Sequence, residues 1–248
     1  MTAPSTSSFA ARVSAGWRDA FPGVDEPFDE PGTTLLEDPA LPDDSWVALC
    51  PVGRRVVSEV APAVAASLRD LLAQRPPGHR LRGDEVASCW PDRRTERQNQ
   101  HLYGLDLAHF RPVGPAPGHE VRVVTEDDRP AFTAFLSRCP EDDREEGDVD
   151  IGDPHEATVG VVDGDRIVAV ASMYAWRGFS DIGVLTEPSA RRRGAGRAAV
   201  SALCQLLADG PRLVVYRHDQ ANLGSRGIAR SLQLTGIGVA EAVRPVAD

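Results

Sequence analysis

The chain contains no lysine, and all 27 of its basic side chains are arginine. That excludes a lysine Schiff base and the phosphate-binding lysine of a P-loop, both of which need an ε-amine. Cysteine is scarce, and Cys50, Cys89, Cys139 and Cys204 form no C-x-x-C pair, so neither a structural zinc site nor a disulfide framework is expected. No apolar run approaches the roughly 20 residues that a membrane helix requires. The opening MTAPSTSSFAARVSAGW lacks a basic start followed by an apolar stretch, which argues against secretion, and its resemblance to a transit peptide is faint. A cytoplasmic protein with no membrane partner is expected. Net positive charge is also lacking: the formal charge is -10, which speaks against a nucleic-acid partner.

A chain of 248 residues suffices for one large domain or two small ones, burying roughly 70–75% of its unfolded surface. After Ser7 and Ser8, the residues Phe9, Val13 and Trp17 recur at helical spacing, and Pro22-Gly23 ends that helix. The Pro- and acid-rich stretch to Asp44 reads as a surface loop, so residues 1–44 form the first segment. Residues 46–50 and 55–60 read as strands and 62–74 as a helix burying Val64, Leu68, Leu71 and Leu72. The charged segment RRTERQNQH, residues 93–101, reads as a solvated helix face. PVGPAPGHE, residues 112–120, has the Pro/Gly density of a boundary and divides an accessory α/β domain, 45–118, from a second domain, 119–248.

Beyond that boundary the pattern is easier to read. Residues 120–124 alternate as a strand, and Thr125 with Asp128 forms a capping-box pattern that opens a helix through Phe132, Phe135 and Leu136. PEDDREEGDVDIGD, residues 140–153, reads as an acidic loop. Two β-branched runs, 157–162 and 166–173, flank Asp163-Gly164-Asp165 as a hairpin, and DIGVLT is a further strand ending at Thr186. An alanine-rich helix striped with Val200, Leu203, Leu206 and Leu207, the strand RLVVY, a helix capped by Asn222 and a last strand complete the order β-α-β-β-β-α-β-α-β.

Between DIGVLT and the alanine-rich helix lies EPSARRRGAGRAAV, a cationic knot in an acidic chain. The amides of Arg192, Arg193, Gly194, Ala195, Gly196 and Arg197 are expected to converge at a helix N-terminus, where unpaired N–H groups and the helix dipole favour a diphosphate. GAGRAA also satisfies the dinucleotide pattern G-x-G-x-x-A, with Asp219 as its ribose-binding acid. However, that pattern starts at the end of its strand, whereas EPSARRR intervenes here, and too few parallel strands follow.

The stretch from Thr186 to Gly196 resembles motif A of the GNAT superfamily of acyl-CoA-dependent N-acyltransferases, V-x-P-x-x-[RQ]-x-x-G-x-[GA]. Pro188, Arg191, Gly194 and Gly196 fall on its positions, and Thr186 replaces the usual valine. Asn222, Ser225 and Leu232 resemble the family's later N-x-x-[SA] segment. The resemblance covers residues 120–248 and implies an α/β fold with a mixed, splayed sheet flanked by helices. It implies acetyl-CoA as co-substrate, held by the knot, by Asn222 and Ser225, and by the strand edge Val184, Leu185 and Thr186, along which pantetheine lies like an added strand. No metal is implied.

The implied reaction is transfer of an acetyl group to an amine of a small molecule or peptide, with a cationic acceptor favoured by the acidic run and a homodimer admissible. Asp181 is the nearest counterpart of the family's early-strand glutamate, although strand alternation places it on the face opposite Thr186. His218, beside Asp219, is the other candidate base. Ala229 stands where the family commonly has a tyrosine that protonates the departing thiolate. That departure supports an alternative, a catalytically inactive acyl-CoA sensor or partner-binding module. The strand-strand-helix order of 46–74 also suggests a degenerate copy of the same fold in the accessory domain.

Overall fold

A computed structural model of the chain describes residues 8–25 and 28–246. Residues 1–7 of the segment read for targeting, including Ser7, and residues 26–27 and 247–248 lie outside the described residues. In chain order the first elements are α1 (Phe9–Ala20), β1 (Gly32–Glu37), β2 (Val47–Val52), β3 (Arg55–Val60), α2 (Pro62–Leu72), α3 (Gly83–Ala87) and β4 (Thr95–Gly104). There follow β5 (His119–Val123), α4 (Arg129–Leu136), α5 (Glu141–Gly147), β6 (His155–Asp163), β7 (Arg166–Trp176), β8 (Phe179–Thr186), α6 (Ala195–Leu207), β9 (Leu213–Asp219), α7 (Leu223–Ser231) and β10 (Thr235–Pro245). No described helix is long and apolar enough to cross a membrane.

The chain folds as two units. The first comprises Tyr103–Arg217 and Asn222–Gly236 with the residues up to Gly16; the second comprises Trp17–Leu102, His218–Ala221 and Ile237–Asp248. The Pro/Gly passage at 112–118 therefore falls inside the first unit, in a stretch without helix or strand. Proline and glycine there report the absence of repeating backbone geometry.

In the second unit the strand order is β1-β3-β2-β10-β4. β1 runs parallel to β3, while β2 is antiparallel to both β3 and β10. Val64, Ala65 and Leu68 of α2 pack with Val47, Leu49, Val56 and Val60 into one core. Two expectations fail here. β1 lies within the stretch expected to be loop, and Thr33 anchors it by donating to the His79 carbonyl and accepting from the Leu81 amide, each at 2.9 Å. Residues 95–101 form most of strand β4 instead of a helix face. Their exposed polar side chains carry little preference of their own, so strand pairing decides the backbone.

The first unit has strand order β9-β8-β7-β6-β5, antiparallel except for the parallel pair β8 and β9. Side-chain alternation divides its core between the two faces. Ala169, Ala171, Met173 and Ile182 face the small residues Ala195, Ala198 and Ala199 of α6, whereas Val170 and Leu185 face Phe132 and Phe135 of α4. Small side chains let α6 approach the sheet closely. The capping box is present: the Thr125 amide donates to Asp128 Oδ2 at 3.0 Å, and Arg122 together with that amide holds the Asp128 carboxyl down at about 2.

One expectation changes in this unit as well. Residues 141–147 of the acidic stretch form α5 and not a loop. Pro140 precedes three acids in the first turn, where the helix dipole favours negative charge, and Asp148 ends the helix at φ 43°. That start signal was present in the sequence, but the density of charge read more readily as solvated chain.

Candidate functional site

Between β8 and α6 the backbone makes two left-handed steps, Arg192 at φ 61° and Gly194 at φ 86°. Gly194 is the N-cap of α6 and supplies no side-chain cap. The first amide of α6 with an acceptor is that of Ala198, which donates to the Gly194 carbonyl at 2.9 Å. Among the described residues nothing accepts from the amides of Arg192 to Arg197. They form a concentrated set of unpaired donors at the positive end of a thirteen-residue helix dipole. The side chains of Arg192, Arg193 and Arg197 are exposed around it and have no ion-pair partner among the described residues.

The other predicted knot residues divide by role. Arg191 Nη2 pairs with Asp143 of α5 at 2.5 Å, and its Nε donates to the Thr186 carbonyl at 3.2 Å, so it clasps the loop to the helix beside it. Gly196 faces the sheet: a Cβ added there would lie 2.5 Å from Thr186 Oγ1, with Val184 and Ile228 at 3.6 Å. Its missing side chain thus lets α6 pack on β8. At Gly194 the same addition meets only an Arg197 nitrogen at 3.4 Å, and the positive φ is what glycine supplies.

The parallel ladder between β8 and β9 has the rungs Phe179↔Leu213, Ser180↔Val214 and Asp181↔Val215 and ends there. β8 continues through Thr186 while remaining in register with β7 from Trp176↔Phe179 to Ala169↔Thr186. Among the described residues one edge of β8 is therefore without a strand partner along Ile182–Thr186, and Val184 and Thr186 are half-buried. A parted strand pair and an amide-lined helix start are the parts that an extended thioester carrier with a diphosphate would need.

Asn222 caps α7, accepting from the Ser225 amide at 2.8 Å, and its Nδ2 donates to Glu146 of α5 at 2.6 Å. Ala229, at the position of the family's tyrosine, is fully buried in the α6-side core. Tyr216 belongs to that core too; burial raises its hydroxyl pKa, against hydrogen bonding from Ser225.

Asp181 is only 3% exposed. The unbroken β7–β8 register confirms that it faces away from Thr186, on the α4 and α5 side. Arg217 Nε donates to its Oδ2 at 2.6 Å and the Tyr174 hydroxyl does so at 3.1 Å. Burial pushes the Asp181 carboxyl up while Arg217 pulls it down. His218 belongs to the second unit, where it stacks on His101 at 5.6 Å between ring centroids and its Nδ1 lies 2.7 Å from the Asp219 carbonyl. Sequence reasoning missed Tyr174, Trp176 and Arg217 around Asp181, because side chains on separate strands meet only through register.

It also missed the buried Glu187, which joins Arg138 at 2.7 Å and Arg166 at 2.8 Å beside the motif. A carboxylate directly after a strand and before a proline was the available signal.

A mixed sheet with a parted parallel pair, flanked by helices and followed by an amide cradle, is the architecture of an acyltransferase type of fold. Residues 121–232 match the acetyltransferase (GNAT) family, and this segment of the chain is a domain of that family. Among solved structures, a GCN5-related N-acetyltransferase from Kribbella flavida is 19% identical at a TM-score of 0.50, over 65% of this chain and 64% of that one. An acetyltransferase from the GNAT family of Colwellia psychrerythraea is 11% identical at 0.50, over 77% and 76%. A functionally unknown conserved protein from Staphylococcus epidermidis is 9% identical at 0.52, over 80% and 87%. At these identities the likeness is one of fold. No curated protein matches the chain.

Proposed function

We propose that the first unit binds acetyl-CoA and transfers its acetyl group to an amine of a small molecule or peptide. The observation that carries this reading is the pairing of an unsatisfied amide cradle, Arg192 to Arg197, with a strand ladder that stops at Asp181. The diphosphate would sit on the cradle, with Arg192, Arg193 and Arg197 adding charge-assisted contacts. The pantetheine amides would pair with the free edge of Val184, Leu185 and Thr186. Bound acetyl-CoA supplies the activated acyl carbon; the chain's own part is to hold it and to receive a proton. A lysine-like amine at pH 7 must lose a proton before attack, at a cost of about 4–5 kcal/mol. Asp181, on the last rung before the strands part, is the acid assigned to take that proton. A cationic acceptor is favoured by the acids of α5, of which Glu141, Asp142 and Glu145 are exposed.

A second reading has a specific observation behind it: Ala229 is fully buried where the family commonly carries a hydroxyl. In that reading the unit binds acyl-CoA without turnover. Titration calorimetry with CoA and acetyl-CoA, followed by release of free thiol with a panel of amines, separates the two. Binding with amine-dependent thiol release supports the transferase, and binding without release under every amine supports the sensor. Absence of CoA binding overturns both.

A further inference from the structure

β5 ends the strand order of the first unit, and among the described residues only β6 pairs with it. An edge of that kind presents N–H and C=O groups that must find water or another strand. The ladder fixes which groups those are. β5 is antiparallel to β6, and one rung past the strand end the Val124 amide donates to the Thr158 carbonyl at 2.9 Å. In an antiparallel pair every second residue turns its backbone to the partner strand, so Glu120 and Arg122 face β6 as Val124 does. His119, Val121 and Val123 face outward. Both ends of that outward row are already engaged: the His119 amide donates to the Ala116 carbonyl at 3.0 Å, and the Val123 carbonyl accepts from Arg122 Nη1 at 3.3 Å. Among the described residues, what stays open is the Val121 amide and carbonyl, the Val123 amide and the His119 carbonyl.

The side chains of this edge carry a second pattern. Val121 packs half-buried against the α6-side core and Val123, on the same face, is 52% exposed, while Glu120 and Arg122 lie on the opposite face. Arg122 pairs with Asp128 at 2.7 Å; Glu120 is exposed and has no ion-pair partner among the described residues. We propose that this edge is the contact of a two-fold symmetric homodimer, in which β5 pairs antiparallel with the β5 of a second copy, centred on Val121. The inference stands apart from the acyl-transfer reading.

In that register the open groups satisfy one another. The Val121 amide and carbonyl bond those of the partner's Val121, and each Val123 amide donates to the His119 carbonyl across the axis. Glu120 then stands opposite the partner's Arg122, and Arg122 opposite the partner's Glu120, at the non-hydrogen-bonded rungs where Cα atoms are only about 4.5 Å apart. The neighbouring registers that keep the outward rows opposed set Glu120 against the partner's Glu120, or Arg122 against the partner's Arg122, and like charges directly opposite are unfavourable. The charge order therefore selects one register and a copy of this chain as the partner, since a two-fold contact must be self-complementary. β7 and β6 separate β5 from β8, so this pairing leaves the free edge of β8 open. A five-residue strand makes a small contact, and the association is accordingly weak and concentration-dependent.

The test is sedimentation equilibrium of the full chain between about 1 µM and about 1 mM, over which wild type is expected to pass from monomer to dimer. Glu120→Arg and Arg122→Glu each set like charges opposite one another and are expected to weaken the dimer by about tenfold or more. Mixed in equal amounts, the two variants oppose unlike charges again and are expected to associate as a heterodimer. Amide hydrogen exchange supplies a second readout: as wild-type concentration rises, the Val121 and Val123 amides are expected to gain protection, whereas those of Glu120 and Arg122, directed at β6, are not. Wild type that stays monomeric to about 1 mM overturns the proposal. So does a dimer that Glu120→Arg leaves intact, which would place the contact on another face, and so does a mixture of the two folded variants that fails to associate. If Arg122→Glu does not fold for want of its pair with Asp128, the comparison of wild type with Glu120→Arg and the exchange of Val121 still decide.

Discussion

Gly196 lies in the first turn of α6, where alanine would ordinarily stabilise a helix by about 0.5–1 kcal/mol over glycine. Here the added Cβ would sit 2.5 Å from Thr186 Oγ1, well inside the 3.4 Å at which ordinary contact begins. Overpacking of this kind costs about 1–3 kcal/mol, so Gly196→Ala is expected to lose roughly 1–2 kcal/mol net. The structure also names the cure. Thr186→Ala removes the obstructing oxygen, after which the nearest atoms stand at an ordinary 3.6 Å. The double variant should therefore recover wild-type stability or exceed it slightly, with a coupling energy of about 1–3 kcal/mol. Gly194→Ala serves as the control. Its cost, about 1–2 kcal/mol, comes from φ 86° and not from a neighbour, so Thr186→Ala should not relieve it. Urea unfolding followed by tryptophan fluorescence measures all four variants and wild type. A Gly196→Ala protein as stable as wild type, or one that Thr186→Ala leaves unrescued, would refute the reasoning that this glycine exists for helix-on-strand packing.

Two further outcomes follow from the buried polar contacts. Burial alone would raise the Glu187 carboxyl, but bonds from Ser189, Arg138 and Arg166 outweigh it and hold the group below its usual range. A depressed carboxylate contributes stability above its unfolded value of about 4.3, and that contribution is lost as pH falls through the folded value. Glu187→Gln should therefore cost about 2 kcal/mol at pH 7, less than the 3–5 of a fully buried pair, because Arg138 and Arg166 keep 30% and 51% of their side-chain exposure. Thermal melts should show the difference from wild type narrowing below about pH 4; a constant difference would contradict the ion-pair account. Asn222→Ala removes the cap on the Ser225 amide and the tie to Glu146, and is expected to cost about 1 kcal/mol in urea unfolding. A neutral result would show that α7 does not depend on its cap.

Local rules determined a great deal. The period of the apolar residues located α6, the Asn222 cap located α7, the Asp163-Gly164-Asp165 turn located the β6–β7 hairpin, and Thr125 with Asp128 announced α4. Each signal is carried by residues a few positions apart, so the chain states it without reference to the rest of the fold. The amide cradle belongs to this group as well, since glycine before an alanine-rich helix encodes its own backbone geometry.

Elsewhere the sequence was silent because the deciding partner lies far along the chain. β4 is a strand through pairing that its polar residues do not announce, and α5 is held by Asp143 on Arg191 and Glu146 on Asn222, across 48 and 76 residues. The division of labour between Gly194 and Gly196 could not be read from a motif that treats both as glycine; it needed Thr186 in place beneath one of them. Asp181 makes the same point most plainly. Alternation gave its face, but only the register of β7, β8 and β9 brought Tyr174 and Arg217 onto one carboxylate oxygen. A hydrogen bond depends on tenths of an ångström between strands, and that distance exists only once the sheet has formed.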